Sequence, residues 1–148
     1  MNPYDQALHD FYFTEDHQKL VLHNNYGDPE EMPIDVFFRE ETELSDIDLI
    51  ALDFADGAIL DLGAGTGVHS KILQDRRHDI TAIELSEKAC QIMRSRGLKN
   101  VVNDSIYSQS LKKYDTLLLL MNGFGLAGTV QNIPRFLAML KSLLNEGG

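Results

Sequence analysis

A glycine-rich segment carries the strongest chemical signal in the sequence. Residues 59–67 read Ile-Leu-Asp-Leu-Gly-Ala-Gly-Thr-Gly, at the end of a predicted strand and the start of a predicted helix. Glycines there allow the backbone to turn tightly and to lie against a ligand without a Cβ in the way. Val68 stands where a dinucleotide-binding Gly-x-Gly-x-x-Gly loop has its last glycine. The segment therefore predicts a nucleotide-type loop and argues against a nicotinamide-dependent oxidoreductase.

An acidic residue ends the next predicted strand. A carboxylate at the position of Glu84 can accept hydrogen bonds from both hydroxyls of a ribose. Alternatively, Glu84 flanks the N-terminus of the helix capped by Ser86, where the helix dipole favours a negative charge. Together with the glycines, we favour the ribose contact.

Alternating strand and helix patterns position these residues. Strands are predicted at residues 58–62, at 80–84, from 100 to 102 or 103, and from 114 or 115 to 121. Between and after them lie three predicted helices: one at about 67–76, one from the Ser86 cap to Gly97, and one whose apolar positions are Ile133, Phe136, Leu137, Leu140, Leu143 and Leu144. This alternation predicts an α/β fold with a parallel sheet and right-handed crossovers.

The first 56 residues follow a different pattern. Asn2 caps a predicted helix that begins at Pro3, with Tyr4, Leu8, Phe11 and Tyr12 on one face. A polar stretch with turn signals follows. Ser45 then caps a second helix, stopped by Gly57, whose predicted apolar face is Ile47, Ile50, Ala51 and Phe54.

The stretch from residue 59 to residue 121 resembles the core of the class I, Rossmann-like, S-adenosylmethionine-dependent methyltransferases. The resemblance implies a Rossmann-like parallel sheet of about four strands in the order 3-2-1-4, with helices on both faces. It also implies two parts, a helical lid at residues 1–56 and a cofactor-binding core at residues 57–148.

The resemblance implies S-adenosylmethionine as the cofactor and a set of residues around it. The loop would lie under the methionine and ribose portions, Glu84 would hold the ribose, Leu85 would lie beside the adenine, and the segment after the fourth strand would lie under the transferring methyl group. The full set is Asp61, Gly63, Ala64, Gly65, Gly67, Glu84, Leu85, Asp104, Ser105, Met121 and Asn122.

Three of these residues have structural alternatives. Asp61 is also explained as a strand-end carboxylate that caps the loop amides. Asp104, which the resemblance places against the adenine amino group, is also explained as the N-cap of a short helix. Asn122 is also explained as a turn residue before Gly123.

No catalytic residue is assigned. Methyl transfer needs a general base only if the acceptor arrives protonated, and the candidates are His69, Tyr12, His17 and His23. Arg39 is a candidate partner for the cofactor carboxylate. The segment after the fourth strand lacks the Asn-Pro-Pro-Tyr type motif of the methyltransferases that act on DNA bases or glutamine, which favours a small-molecule acceptor. The alternative function is a module that binds S-adenosylmethionine or S-adenosylhomocysteine without its own catalysis.

Composition limits the partners. The formal net charge of −10 argues against a nucleic-acid substrate, which needs a basic footprint. Solvated helix faces explain the basic residues of the middle third, which are Arg76, Arg77, Arg94, Arg96, Lys99, Lys112 and Lys113. Cys90 is alone, so a disulfide framework and a cysteine-based zinc site are excluded, and no metal is predicted. With no signal peptide and no long apolar run, the sequence predicts a cytoplasmic protein without a membrane span.

The sequence ends at Gly147 and Gly148, where a doubly wound sheet would begin its next strand. The expectation is an incomplete chain that lacks the later strands of the family. The fourth strand would then be an open sheet edge, through which the chain could form a homo-oligomer.

Overall fold

The computed structural model describes residues 2–14, 19–108 and 111–148. The N-terminal part contains α1 (Pro3–Phe13), β1 (Leu20–Leu22), β2 (Glu30–Met32) and α2 (Asp46–Phe54). The rest of the chain alternates strands and helices: β3 (Ala58–Leu62), α3 (Val68–Asp75), β4 (Asp79–Glu84), α4 (Glu87–Ser95), β5 (Val101–Asn103), β6 (Thr116–Leu118) and α5 (Ile133–Leu143).

A four-stranded parallel sheet forms the centre of the second part. Its strands lie in the order β5-β4-β3-β6, and β3 pairs with both β4 and β6. This confirms the predicted strand order. Because β3 is central and its residues are mostly apolar, four of its five side chains are buried.

Helices cover both faces of the sheet, because side chains alternate between the faces along each strand. On one face, Ile59 of β3 and Ile80 of β4 pack with α2 and α3 in a cluster that includes Leu52 and Leu73. On the other face, Leu60 and its neighbours pack against the end of α5. The predicted layering is therefore confirmed.

The N-terminal part rests on α4. Ala7 and Leu8 of α1 and Ile34 form a buried cluster with Ile92 of α4. This part is not only helical, as the sequence suggested, because β1 and β2 pair as an antiparallel hairpin. The sequence did not predict the hairpin, because its strands are three residues long and mostly exposed.

The predicted apolar face of α2 is wrong. Ile47 is 77% exposed and Phe54 is 82% exposed, whereas Leu52 and Ala55 are buried against the sheet. The helix carries two apolar stripes, and the one that contains Leu52 faces inward. In this orientation the Asp48 carboxylate, which caps the helix together with Ser45, also lies beside α3.

The fourth strand of the sheet is shorter than predicted. The β6 pairing ends at Leu118, and the chain then leaves the sheet for a turn at Met121. On the outer side, Tyr114 forms an isolated parallel bridge with Leu144. Residues next to β6 are thus partly covered on that edge. Within the described ranges, no helix is long and apolar enough to cross a membrane.

Candidate functional site

A cavity of about 220 Å³ opens beyond the carboxyl ends of β3 and β6. This is the edge where open α/β sheets bind their ligands. Its wall combines the glycine loop, the start of α3, the segment after β6 and two aromatic residues of the N-terminal part. The lining residues are Tyr4, Phe37, Asp61, Gly63, Ala64, Gly65, Thr66, Val68, His69, Leu120, Met121, Asn122, Gly123, Gly125 and Leu126.

The glycine loop presents bare backbone to this cavity. Gly63 and Gly65 have φ values of 71° and 57°, in the left-handed region that side chains disfavour. A Cβ on Gly65 would meet no protein atom within 4 Å, so open space lies where a side chain would be. Gly67 differs, because a Cβ there would lie 2.8 Å from Cγ of Met93. Gly65 therefore faces the open space and Gly67 faces α4.

Asp61 lies under the loop, at the end of β3. The residue is 3% exposed, and its Oδ2 accepts a 2.7 Å hydrogen bond from the hydroxyl of Ser70. Burial raises the pKa of this carboxyl, against the opposing effects of the Ser70 hydrogen bond and of His69. Asp61 thus lines the cavity and is also fixed to the first turn of α3.

Glu84 joins the loop to the end of β4. Its Oε2 accepts a 3.0 Å hydrogen bond from the backbone N–H of Gly65, and its Oε1 accepts a 2.9 Å bond from the N–H of Ser86. The carboxylate therefore lies at the flank of α4, which was one of the two predicted positions, and it also contacts the glycine loop, which the sequence did not predict. One of its oxygens is directly beside the part of the loop that faces the cavity.

The remaining residues of the predicted adenine side lie at the neighbouring strand ends. The amide of Asn103 donates 3.0 Å bonds to the carbonyls of Glu84 and Leu85, which fixes the end of β5 to the end of β4. Leu85 is 75% exposed, and Asp104 accepts a bond from the N–H of Ser105. These three predicted ligand residues are adjacent to Glu84 but outside the cavity wall.

The turn after β6 has an unusual backbone. Met121 and Asn122 follow each other with φ values of 47° and 65°, although neither is a glycine. Positive φ is uncommon for residues with side chains, and such strain is concentrated at functional sites. Both residues line the cavity. The sequence predicted that both residues face the ligand. It did not predict their positive φ values, because neither position is a glycine.

Two aromatic side chains of the N-terminal part also line the cavity. The rings of Tyr4 and Phe37 meet edge to face with their centroids 5.3 Å apart. Burial, followed by the charges of Glu84 and Asp5, raises the pKa of Tyr4 to about 12, so its hydroxyl stays protonated at neutral pH. The hydroxyl of Thr66 donates to the carbonyl of Phe37, which connects this wall to the glycine loop.

His69 is the candidate base that the structure brings to the cavity. It lies in the first turn of α3, is 6% exposed, and lines the cavity. Its Nε2 is buried, lies 3.5 Å from Oδ1 of Asp48, and makes no hydrogen bond. Asp48 was not singled out in the sequence analysis, because a capping residue of another helix gives no signal that it meets His69.

The other candidates lie elsewhere. Tyr12 stacks on Phe38, and His23 is exposed after β1. His17 lies outside the described residues. Arg39 is not among the lining residues; its Nη2 donates to the sulfur of Met121 at 3.2 Å and its Nη1 lies 3.9 Å from Asp48. Among the residues that the structure describes, no group of three acidic, histidine or cysteine side chains could hold a metal ion.

Residues 38–148 match the family described as the methyltransferase domain. This stretch covers well over half of the chain and includes the glycine loop, Glu84 and the turn after β6. The chain belongs to this family. No curated protein matches the sequence.

Solved structures support the same assignment. A methyltransferase from Bacteroides fragilis, described as dependent on S-adenosylmethionine and crystallised with S-adenosyl-L-homocysteine, is 33% identical with a TM-score of 0.91. The match covers 99% of this chain and 61% of that one, so the chain spans about three fifths of this relative.

More distant structures share the fold. The plantazolicin methyltransferase BpumL, in complex with the same product, is 28% identical over 66% of this chain and 39% of its own, with a TM-score of 0.50. The sugar N-methyltransferase KedS8 from Streptoalloteichus is 20% identical over 90% of this chain and 57% of its own, with a TM-score of 0.60. The resemblance to Rossmann-like, class I methyltransferases is therefore confirmed.

Proposed function

We propose that the protein is an S-adenosylmethionine-dependent methyltransferase that acts on a small molecule by direct in-line methyl transfer. The observation that carries this proposal is the cavity itself. Bare glycine backbone at Gly65 forms one wall, and a strained turn at Met121 and Asn122 forms the other. The relative crystallised with S-adenosyl-L-homocysteine matches nearly the whole chain, which supports the choice of ligand.

The residues present fit this cofactor. The open space at Gly65 is a cradle that a Cβ would occupy, and Glu84 places a carboxylate oxygen beside it. Of the predicted contacts, Asp61, Gly63, Ala64, Gly65, Met121 and Asn122 line the cavity. Glu84, Leu85, Asp104 and Ser105 would continue the site along the neighbouring strand ends, and Gly67 would support the loop through its packing on α4.

The chemistry asks the protein chiefly to bind and orient. S-adenosylmethionine supplies a methyl group on a sulfonium centre, and when the bond to carbon breaks its electron pair returns to sulfur as a neutral thioether. The chain has to hold the acceptor in line with that methyl group and to exclude water. Tyr4 and Phe37 close the cavity, so we assign residues 1–56 the role of a lid.

The acceptor is proposed to be small and not a nucleic acid. The cavity of about 220 Å³ has partly aromatic walls, and the chain carries a formal net charge of −10. A strongly acidic chain repels a phosphate backbone. The proposed site therefore suits a compact acceptor that enters between the N-terminal part and the turn at Met121.

Calorimetric titration with S-adenosyl-L-homocysteine tests this proposal. We expect micromolar binding by the unmodified chain. Gly65→Ala should weaken it by at least about tenfold, because a Cβ would enter the space where the ligand approaches the backbone. The matched control is Gly97→Ala, since Gly97 also has a positive φ of 87° and open space around it, but follows α4.

The control separates strain from ligand contact. Both substitutions place a side chain at positive φ, so both should lower the free energy of unfolding by about 1–2 kcal/mol. Only Gly65→Ala should lower affinity. A folded chain that does not bind the ligand, or equal affinity losses in the two variants, would contradict the proposed site. Binding without turnover against amine and alcohol acceptors would favour a cofactor-binding module.

A further inference from the structure

The cavity contains one buried histidine that cofactor binding does not account for. His69 lines the cavity, and its Nε2 lies 3.5 Å from Oδ1 of Asp48. This nitrogen is buried and has no hydrogen-bond partner. A buried polar atom left without a partner costs free energy, so its position calls for an explanation.

Asp48 is built to remain ionised beside this ring. Burial opposes its ionisation, but hydrogen bonds from the hydroxyl and backbone of Ser45, together with the charge of Arg39, help to hold the pKa of Asp48 below its usual range. A carboxylate beside one ring nitrogen favours the tautomer that carries the proton there. Nδ1 is then the ring nitrogen with a free lone pair.

We infer that His69, oriented by Asp48, accepts the proton of the methyl acceptor, which is therefore an amine or an alcohol. This inference rests on the proposed function. The lone pair of the acceptor forms the new bond to the methyl carbon, and the electron pair of the broken carbon–sulfur bond stays on sulfur. The proton lost by the acceptor goes to Nδ1 of His69, and Asp48 stabilises the resulting imidazolium.

The charged surroundings suit this role. The carboxylates that face His69 are Asp48 from α2 and Asp61 from β3, whose own pKa burial raises. Arg39 lies behind Asp48, with Nη1 at 3.9 Å from its carboxylate, and Tyr4 lines the same cavity in its protonated form. A positive charge that forms on His69 during transfer therefore lies 3.5 Å from the Asp48 carboxylate and close enough to Asp61 to interact with it.

Two cofactor analogues test the inference without knowledge of the acceptor. Sinefungin carries a protonated amine at the position of the reactive methyl group, and S-adenosyl-L-homocysteine carries nothing there. A proton acceptor that faces this position should make the unmodified chain bind sinefungin at least about tenfold more tightly than S-adenosyl-L-homocysteine, since a hydrogen bond to a charged group is involved.

The variants then locate the acceptor group. His69→Phe should remove the preference for sinefungin and leave the affinity for S-adenosyl-L-homocysteine within about threefold. His69→Gln, which retains a hydrogen-bond acceptor and guards against misfolding of the first variant, should keep part of the preference. Asp48→Asn should reduce it. His78→Phe, in the connection between α3 and β4, is the matched control and should leave it unchanged.

The outcomes are distinguishable. If the unmodified chain binds neither analogue, the proposed function fails. If it binds both with equal affinity, or if a folded His69→Phe chain keeps the full preference for sinefungin, His69 is not the proton acceptor, and the proposed function stands without it.

Discussion

Two segments that line the cavity use left-handed backbone in different ways. The glycine loop places Gly63, Gly65 and Gly67 at positive φ, where glycine costs little. The turn after β6 uses Met121 and Asn122, which pay a steric cost for the same conformation. The glycine loop therefore lines the cavity with backbone that carries no side chains. The turn lines it with side chains whose backbone is strained.

The difference separates two tasks at one site. Bare backbone at Gly65 allows close approach of the cofactor that the family has in common. Side chains at Met121 and Asn122 shape the other wall, where we place the acceptor. Strain persists when the surrounding structure determines it, and Arg39 contributes here by donating to the sulfur of Met121.

The largest effect is expected inside the loop itself. Gly67→Ala would place a Cβ 2.8 Å from Cγ of Met93 and 2.9 Å from Cδ1 of Leu98, at a φ of 80°. We expect the free energy of unfolding to fall by about 2–4 kcal/mol in urea titrations, through overpacking and backbone strain together. Gly65→Ala, which carries only the strain, should cost less. Equal losses in the two variants would show that Met93 and Leu98 move aside at little cost, and that Gly67 is needed only for its backbone conformation.

The turn should respond to side-chain shape at Asn122. Asn122→Val should lower the free energy of unfolding by about 1–2 kcal/mol, because a β-branched residue tolerates positive φ poorly. Asn122→Gly should stay within about 0.5 kcal/mol of the unmodified chain, since relief of strain offsets the entropy cost of glycine. Thermal melts of both variants measure the difference. A neutral Asn122→Val would mean that the turn is not strained in solution.

The free energy of unfolding should depend on pH through Asp61, which lies under the glycine loop. Burial raises the folded-state pKa of Asp61, so its contribution to stability is present below the ordinary carboxyl range and is lost as pH rises through the raised value. Asp61→Asn should therefore gain stability relative to the unmodified chain as pH increases from 4 to 7. Urea titrations at several pH values measure this trend. A constant difference would contradict a raised pKa, and the Asn122 variants serve as the pH-independent reference.

The smallest change in the free energy of unfolding is expected for the contact between Arg39 and the turn. Arg39→Met removes the contact with the sulfur of Met121 and the ion pair with Asp48, and should cost less than about 1 kcal/mol because these are partly exposed interactions. Arg94→Met is the control, since Arg94 donates to the carbonyl of Val101 away from the cavity. A larger loss for Arg39→Met than for Asn122→Val would mean that the arginine, and not local packing, holds the turn.

The sequence predicted what depends on local pattern. Glycines at a strand end and the acidic residue ending the next strand identified the loop and Glu84. Strand–helix alternation predicted the parallel sheet, and the resemblance to the methyltransferases supplied its strand order. The buried face of α2 was misjudged because the helix carries two apolar stripes, and its tertiary contacts select the one with Leu52. The contact between Asp48 and His69 depends on which stripe of α2 faces inward, so no local sequence pattern could predict it.

The two bonds of Glu84 have a consequence for how occupancy of the site can be followed over time. The amide proton of Gly65 is held by Oε2 of Glu84 at 3.0 Å before any ligand arrives. If a ribose hydroxyl displaces the amide of Gly65 from that oxygen, the ligand competes directly with the loop. The hydrogen-exchange rate of this single amide would then report ligand entry, and the ribose contact would contribute the difference between two hydrogen bonds, not the strength of one.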